Sequence, residues 1–143
     1  MPSLNLKIAG PAQAPAIQEL VAHLVTLTTE VLGKKKEVIA VAVELVPAER
    51  WFIGGRRLMP GRAAFQLEIN VCEGTNTRDE KAAFVAGAHA VAEAVLGAVD
   101  PVSYTMVHEV RADAYGYGGM TRERRDIEGK GYGGVQGAKL RAL

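Results

Sequence analysis

Short segments of this chain return 64 residues further on. Val31-Leu32-Gly33 recurs as Val95-Leu96-Gly97, Gly54-Gly55 as Gly118-Gly119, and Gly10 as Gly74. Three anchors at one spacing mark a tandem duplication, so the fold must be assembled from two like units. The stretches between the anchors agree in character. Leu4, Leu6 and Ile8 alternate with Ser3, Asn5 and Lys7, the pattern of a half-buried strand. Leu67, Ile69 and Val71 alternate with Gln66, Glu68 and Asn70 in the same way, at a spacing of 63, so one residue was gained or lost before the glycine.

Each strand is followed by a helix pattern. Ile17, Leu20, Val21, Leu24, Leu27 and Val31 form one apolar stripe, and Phe84, Ala88, Val91 and Val95 form the other. Thr77 and Glu80 read as a capping box. Gly33 and Gly97 stop the helices, because glycine accepts the left-handed conformation of a C-cap. A second strand closes each unit, over 38–46 and 102–110. The first of these, Val38 to Val46, is apolar on both faces, which predicts burial on both sides of the sheet. The second carries Tyr104, Met106 and His108 on one face.

The predicted fold class is therefore α/β (α+β): two tandem βαβ units forming a four-stranded sheet with two helices on one face. Helices cover only one face, so the other is expected to meet a neighbouring subunit. The chain reads as one domain over residues 1–143, with repeat 1 at about 2–60, repeat 2 at about 61–119 and a tail at 120–143. The tail from Met120 is basic and glycine-rich and shows no firm element.

Composition narrows the function classes. A formal net charge of +1 gives no general pull toward nucleic acid or membrane. No apolar run approaches the roughly 20 residues of a membrane span. Gly10, Pro11 and Pro15 interrupt any signal-peptide core, and a single cysteine fits a reducing compartment. A cytoplasmic location is expected. Cys72 follows an apolar strand and reads as an inert, part-buried thiol. His23, His89 and His108 lack ligand spacing, so no metal site is indicated. Arg122, Arg124 and Arg125 beside Tyr115-Gly-Tyr-Gly-Gly make only a weak case for RNA binding.

Pro2 is the residue with chemical potential. Methionine before proline is normally removed, which would leave Pro2 as a free secondary amine. An α-amino group has an ordinary pKa of roughly 7.7–8.0, and burial or a neighbouring cation lowers it. Such an amine is a general base near neutral pH. If Met1 stays, the nitrogen is an amide and the base is lost.

Pro2 directly before a strand, Glu44 through Trp51-Phe52-Ile53-Gly54-Gly55, and the repeat of that segment as His108-Glu109 through Tyr115-Gly116-Tyr117-Gly118-Gly119 resemble the tautomerase superfamily. That superfamily includes 4-oxalocrotonate tautomerase, 5-(carboxymethyl)-2-hydroxymuconate isomerase and macrophage migration inhibitory factor. Gly33-Lys34 followed by Ile39-Ala40-Val41 is similar to the macrophage factor. The resemblance covers about residues 2 to 119.

It implies a homotrimer with Pro2 in a pocket near a subunit boundary. It also implies a cofactor-independent tautomerase of a small 2-oxo or 2-hydroxy unsaturated acid, with Pro2 as general base. By the same resemblance Lys34 and Tyr104 match a pocket lysine and a pocket tyrosine, and Trp51 and Tyr115 match a pocket aromatic. The pattern departs where 4-oxalocrotonate tautomerase has arginines. Its strand arginine corresponds to Ala40 and Tyr104, and its post-strand arginine to about Pro11 and Thr75. Arg56, Arg57 or Arg111 are the substitute cations, and a monoacid is expected to be handled better than a diacid. Two other readings stay open. Pro2 could act as general acid in a hydratase or dehalogenase reaction, with Glu44 or Glu109 activating water, or the trimer could be a non-catalytic binding protein.

Overall fold

The computed structural model describes residues 2–129. Strand β1 (Ser3–Ala9) places Leu4, Leu6 and Ile8 on one face, and β5 (Ala64–Cys72) places Leu67, Ile69 and Val71 on that same face. All six are almost completely buried, in one core cluster with Leu20 and Leu24 of α1 (Ala14–Leu32) and Phe84 and Ala88 of α2 (Arg78–Leu96). Both helices thus cover one side of the sheet. The helices come close where Gly87 faces Leu27, since a Cβ there would lie 2.7 Å from the leucine Cδ1.

Strands β2 (Ala40–Val46) and β6 (Tyr104–Val110) complete a four-stranded sheet in the order β2-β1-β5-β6. Pairing within each unit is parallel, as the crossover requires, and the two units join antiparallel through β1 and β5. From helix onward the halves correspond at a spacing of 64. Two 19-residue helices end at Gly33 and Gly97, and hairpin β3–β4 (Phe52–Ile53, Arg56–Arg57) has its counterpart in β7–β8 (Gly116–Tyr117, Met120–Thr121). The one-residue slip in the first strands is real. Ser3 pairs with Ala40, whereas Gln66 pairs with Tyr104, so the parallel registers differ by one.

Three expectations need correction. Residues 36–38 form a 3₁₀ turn and β2 starts at Ala40, while Val102 precedes β6 because Asp100 holds the chain in a turn, accepting from the Val102 amide at 2.9 Å. The helix-free face is not apolar. Val41, Val43 and Leu45 pair beside Leu4, Leu6 and Ile8, on the helix side, while Ser3, Asn5, Lys7, Gln66, Glu68 and Asn70 occupy the open face. The apolar residues of β2 are uncovered for a different reason. They sit at the sheet edge, beyond the reach of the helices, with Val43 36% and Leu45 55% exposed.

The third correction concerns the residues just after Met120, which form a strand pairing and a short helix. Thr121 pairs with Gly116 and caps α3 (Arg122–Ile127) by accepting from the Arg124 amide at 3.1 Å. Residues 130–143 of the glycine-rich tail lie outside the described residues. Among the described residues no helix is long and apolar enough to cross a membrane.

Candidate active site

The site lies at the N-terminal end of β1, where α1 ends, α2 begins and α3 docks. Gly33 adopts φ 69°, and the Lys34 amide reaches back to the Thr28 carbonyl at 3.4 Å while the Gly33 amide reaches Thr29 at 3.1 Å. This Schellman-type ending fixes the backbone of Lys34. The α2 cap fixes the opposite wall. Thr77 and Glu80 form the capping box, and the Asn76 amide nitrogen donates to the Leu32 carbonyl at 3.0 Å, tying the two helix ends together. The Lys34 ammonium donates to Thr75 Oγ1 at 2.9 Å, and that hydroxyl donates to the Cys72 carbonyl at 2.6 Å.

Between these walls is a cavity of about 610 Å³, within the usual range for small-molecule sites. Among the described residues its lining includes the cations Lys34, Lys35, Arg122 and Arg125 against the single carboxylate of Asp126. Asp126 is already engaged, accepting from Arg122 Nε at 3.1 and 3.2 Å. Burial, followed by the charge of Arg122, holds the Lys34 ammonium below its ordinary pKa, with Cys72 and Glu80 opposing. Burial likewise raises Tyr115, so its phenol stays neutral. The Tyr115 hydroxyl is buried without a hydrogen-bond partner of good geometry, although Arg122 lies close enough to act on its titration. Arg125 stacks 4.0 Å over the Tyr117 ring and donates from Nη2 to the Tyr117 carbonyl at 2.7 Å.

Pro2 is almost fully buried. Continuing the registers of β1 by one residue sets it beside Ile39 and Val71. The next step along those neighbours reaches Val38, which lines the cavity, and Cys72, whose carbonyl holds the cavity residue Thr75. Pro2 does not itself line the cavity; the start of β1 lies next to residues that do.

The other sequence candidates are distributed unevenly. Lys34 and Tyr115 lie with Pro2 at this end. Trp51 lies at the opposite end of β1, where with Lys7, Arg50 and Phe52 it borders a second, more open cavity of about 270 Å³. Tyr104 begins β6 on the open face, 59% exposed, paired with Gln66 of that second cavity. Arg56 and Arg57 are exposed on hairpin β3–β4, and Arg111 is exposed and paired with Asp113 at 3.1 Å. Glu44 is exposed on β2, and Glu109 is paired with Lys81. Within one chain, none of these lines the cavity near Pro2. The residues that sequence reasoning missed are Thr75, as partner of Lys34, and Arg122, Arg125 and Asp126 of α3. The signal for α3 was present, since Thr121 is a good N-cap before a run of helix formers, Arg122-Glu123-Arg124-Arg125. Among the described residues no cluster of three His, Cys, Asp or Glu could hold a metal ion.

Residues 67–124, which span the second βαβ unit and its hairpin, match the family described as Tautomerase enzyme. Solved structures match along nearly the whole chain. A fused 4-OT wild-type asymmetric trimer (F6) is 21% identical with a TM-score of 0.74, covering 85% of this chain and 96% of its own. The chain has the tautomerase fold. Native fused 4-OT is 22% identical with a TM-score of 0.73 over the same shares of the two chains. The macrophage migration inhibitory factor-like protein of Entamoeba histolytica is 16% identical with a TM-score of 0.71, covering 84% and 97%. No curated protein matches by sequence. Like these tautomerase-fold structures, the chain pairs a four-stranded sheet with helices packed on it.

Proposed function

We propose that this protein is a cofactor-independent isomerase that moves a proton on a small 2-oxo or 2-hydroxy unsaturated acid, with Pro2 as general base. The observation that carries the reading is a cation-lined cavity at the start of β1 in a tautomerase-superfamily fold. Removal of Met1 frees the Pro2 nitrogen at that end of the strand. The amine takes a proton from the substrate, and the same proton is delivered at another carbon, so no oxidant, reductant or leaving group is needed. Charge builds on the enolate oxygen between these steps. The Lys34 ammonium, held by Thr75 and partly withdrawn from water, stabilises that charge without having to reorganise. Among the described residues no water-activating carboxylate lines the cavity except Asp126, which is bound to Arg122, so the hydratase reading ranks second.

The test uses the enol of phenylpyruvate. Ketonisation is expected to run faster with the protein than in buffer, with a bell-shaped dependence of kcat/KM on pH. The acid limb reports deprotonation of Pro2. The alkaline limb reports loss of charge at Lys34 and falls below the ordinary lysine pKa of 10.5, because burial and Arg122 favour the neutral amine. Lys34→Met should lower the rate and remove the alkaline limb while leaving the acid limb in place. A rate equal to that in buffer across a panel of enolisable 2-oxo acids, from protein whose intact mass shows Met1 removed, would defeat the proposal.

A homotrimer is part of the same reading. It is supported by the trimers among the similar structures and by the uncovered edge residues Val43 and Leu45. Static light scattering at micromolar concentration should give three times the chain mass of 15.2 kDa. A folded monomer under those conditions would rule it out.

A further inference from the structure

We propose that Arg122 and Arg125, both on α3, form the carboxylate-binding pole of the cavity and make α3 its specificity element, leaving Lys34 for the enolate oxygen. This rests on the reading of the cavity as the reaction site.

The first argument is electrostatic. Lys34 and Arg122 are like charges close enough that Arg122 depresses the Lys34 pKa, and Arg125 lines the same cavity without a carboxylate partner among the described residues. Arg125 Nε is buried and donates to nothing there. Asp126 balances Arg122 only, so Lys34 and Arg125 leave the lining with an excess of positive charge that a bound anion relieves. The second argument is geometric. Asp126 holds the Arg122 guanidinium by Nε, and the Tyr117 ring and carbonyl hold that of Arg125, so both planar forks are oriented before a ligand arrives. A guanidinium fork matches a carboxylate in two parallel hydrogen bonds, which the compact lysine ammonium cannot do.

The third argument comes from the duplication. At a spacing of 64, Arg122 corresponds to Leu58, Arg125 to Gly61, Tyr115 to Trp51 and Lys34 to Ala98. In the first half Leu58 is buried and clusters with Ala9, Ala64 and Trp51. The position of Arg122 closes well with an apolar residue in the first half, so stability of the fold does not explain an arginine there, while the position of Arg125 is an exposed glycine. The orphaned Tyr115 hydroxyl beside Arg122 is a further donor in the same place.

The probe is benzoylformate, a 2-oxo acid with no hydrogen to enolise, compared with its neutral amide by titration calorimetry on the full-length protein. Wild type should bind the acid more tightly than the amide. Arg122→Gln and Arg125→Gln should each weaken the acid by roughly ten- to a hundredfold and leave the amide within about twofold, the scale of a charge-assisted pair. Circular dichroism checks that each variant is folded. For any that is not, the Arg→Lys variant replaces it and should lose roughly three- to tenfold, because the charge stays and the fork goes. Equal affinity for acid and amide in wild type, or folded arginine variants that bind the acid like wild type, would overturn the proposal. Pro2→Ala should bind benzoylformate within about threefold of wild type. An arginine-dependent anion site in a protein whose turnover ignores Pro2 would therefore refute the isomerase reading while leaving the α3 site standing.

Discussion

Pro2→Ala is expected to lower kcat and kcat/KM together by roughly one to four decades, the range of a lost general base. The two parameters fall together because the lost proton transfer belongs to the transition state rather than to ground-state binding. The smaller end of the range applies if the new primary amine partly substitutes. Alanine keeps a free amino terminus after Met1 removal, so the charge at the chain end is preserved and only its basicity, rigidity and placement change. Position 2 lies ahead of the strand core, which from sequence makes the fold indifferent to it. Its burial changes that expectation modestly. Loss of two ring carbons should cost about 1–2 kcal/mol, well short of unfolding the chain. Stopped-flow or steady-state ketonisation with a thermal melt of the same sample separates the two effects. A folded Pro2→Ala protein with wild-type kinetics would remove Pro2 from the mechanism and bring the binding-protein reading forward.

The largest effect on stability is expected at Phe84. Its side chain is fully buried on α2 and packs into the cluster that joins both helices to β1 and β5. Phe84→Ala removes the ring and leaves a cavity that the surrounding strand residues cannot fill, at a cost of about 3–5 kcal/mol. That is a large share of the roughly 5–15 kcal/mol that holds a domain together, and the melting temperature should fall by roughly 10 °C or more. The consequence reaches the active site, because α2 starts at the Thr75–Thr77 corner that positions Lys34. Denaturant unfolding followed by circular dichroism measures it. A loss below about 1 kcal/mol would mean that the core repacks around the gap, and that the helix–sheet seam is looser than the burial of Phe84 indicates.

The sequence by itself determined the repeat, the βαβ order and both helix stops. These are local facts, written in residue spacing and in the conformational freedom of Gly33 and Gly97. Even the one-residue slip between the first strands could be read, because a shift of one turns every side chain of a strand to the other face and the alternating pattern records it. The chemical emphasis on Pro2 came from its place in the chain, and that on Lys34 from the resemblance of its surroundings to a known family. Tertiary structure alone decided which aromatic stands near them. Trp51 and Tyr115 occupy equivalent places in the two halves, yet the antiparallel joining of β1 and β5 sends them to opposite ends of the sheet, and only Tyr115 comes close to Arg122, beside the cavity that Tyr117 lines. The open face was misjudged for a related reason. Periodicity shows that β2 is apolar but not that it lies at an edge, where Leu45 is left uncovered on the helix side. The arginines of α3 depended on the fold most of all. They follow β6, the last strand of the main sheet, by more than ten residues, and only the turn of hairpin β7–β8 brings them back against Lys34, because a charge takes its meaning from its neighbours in space.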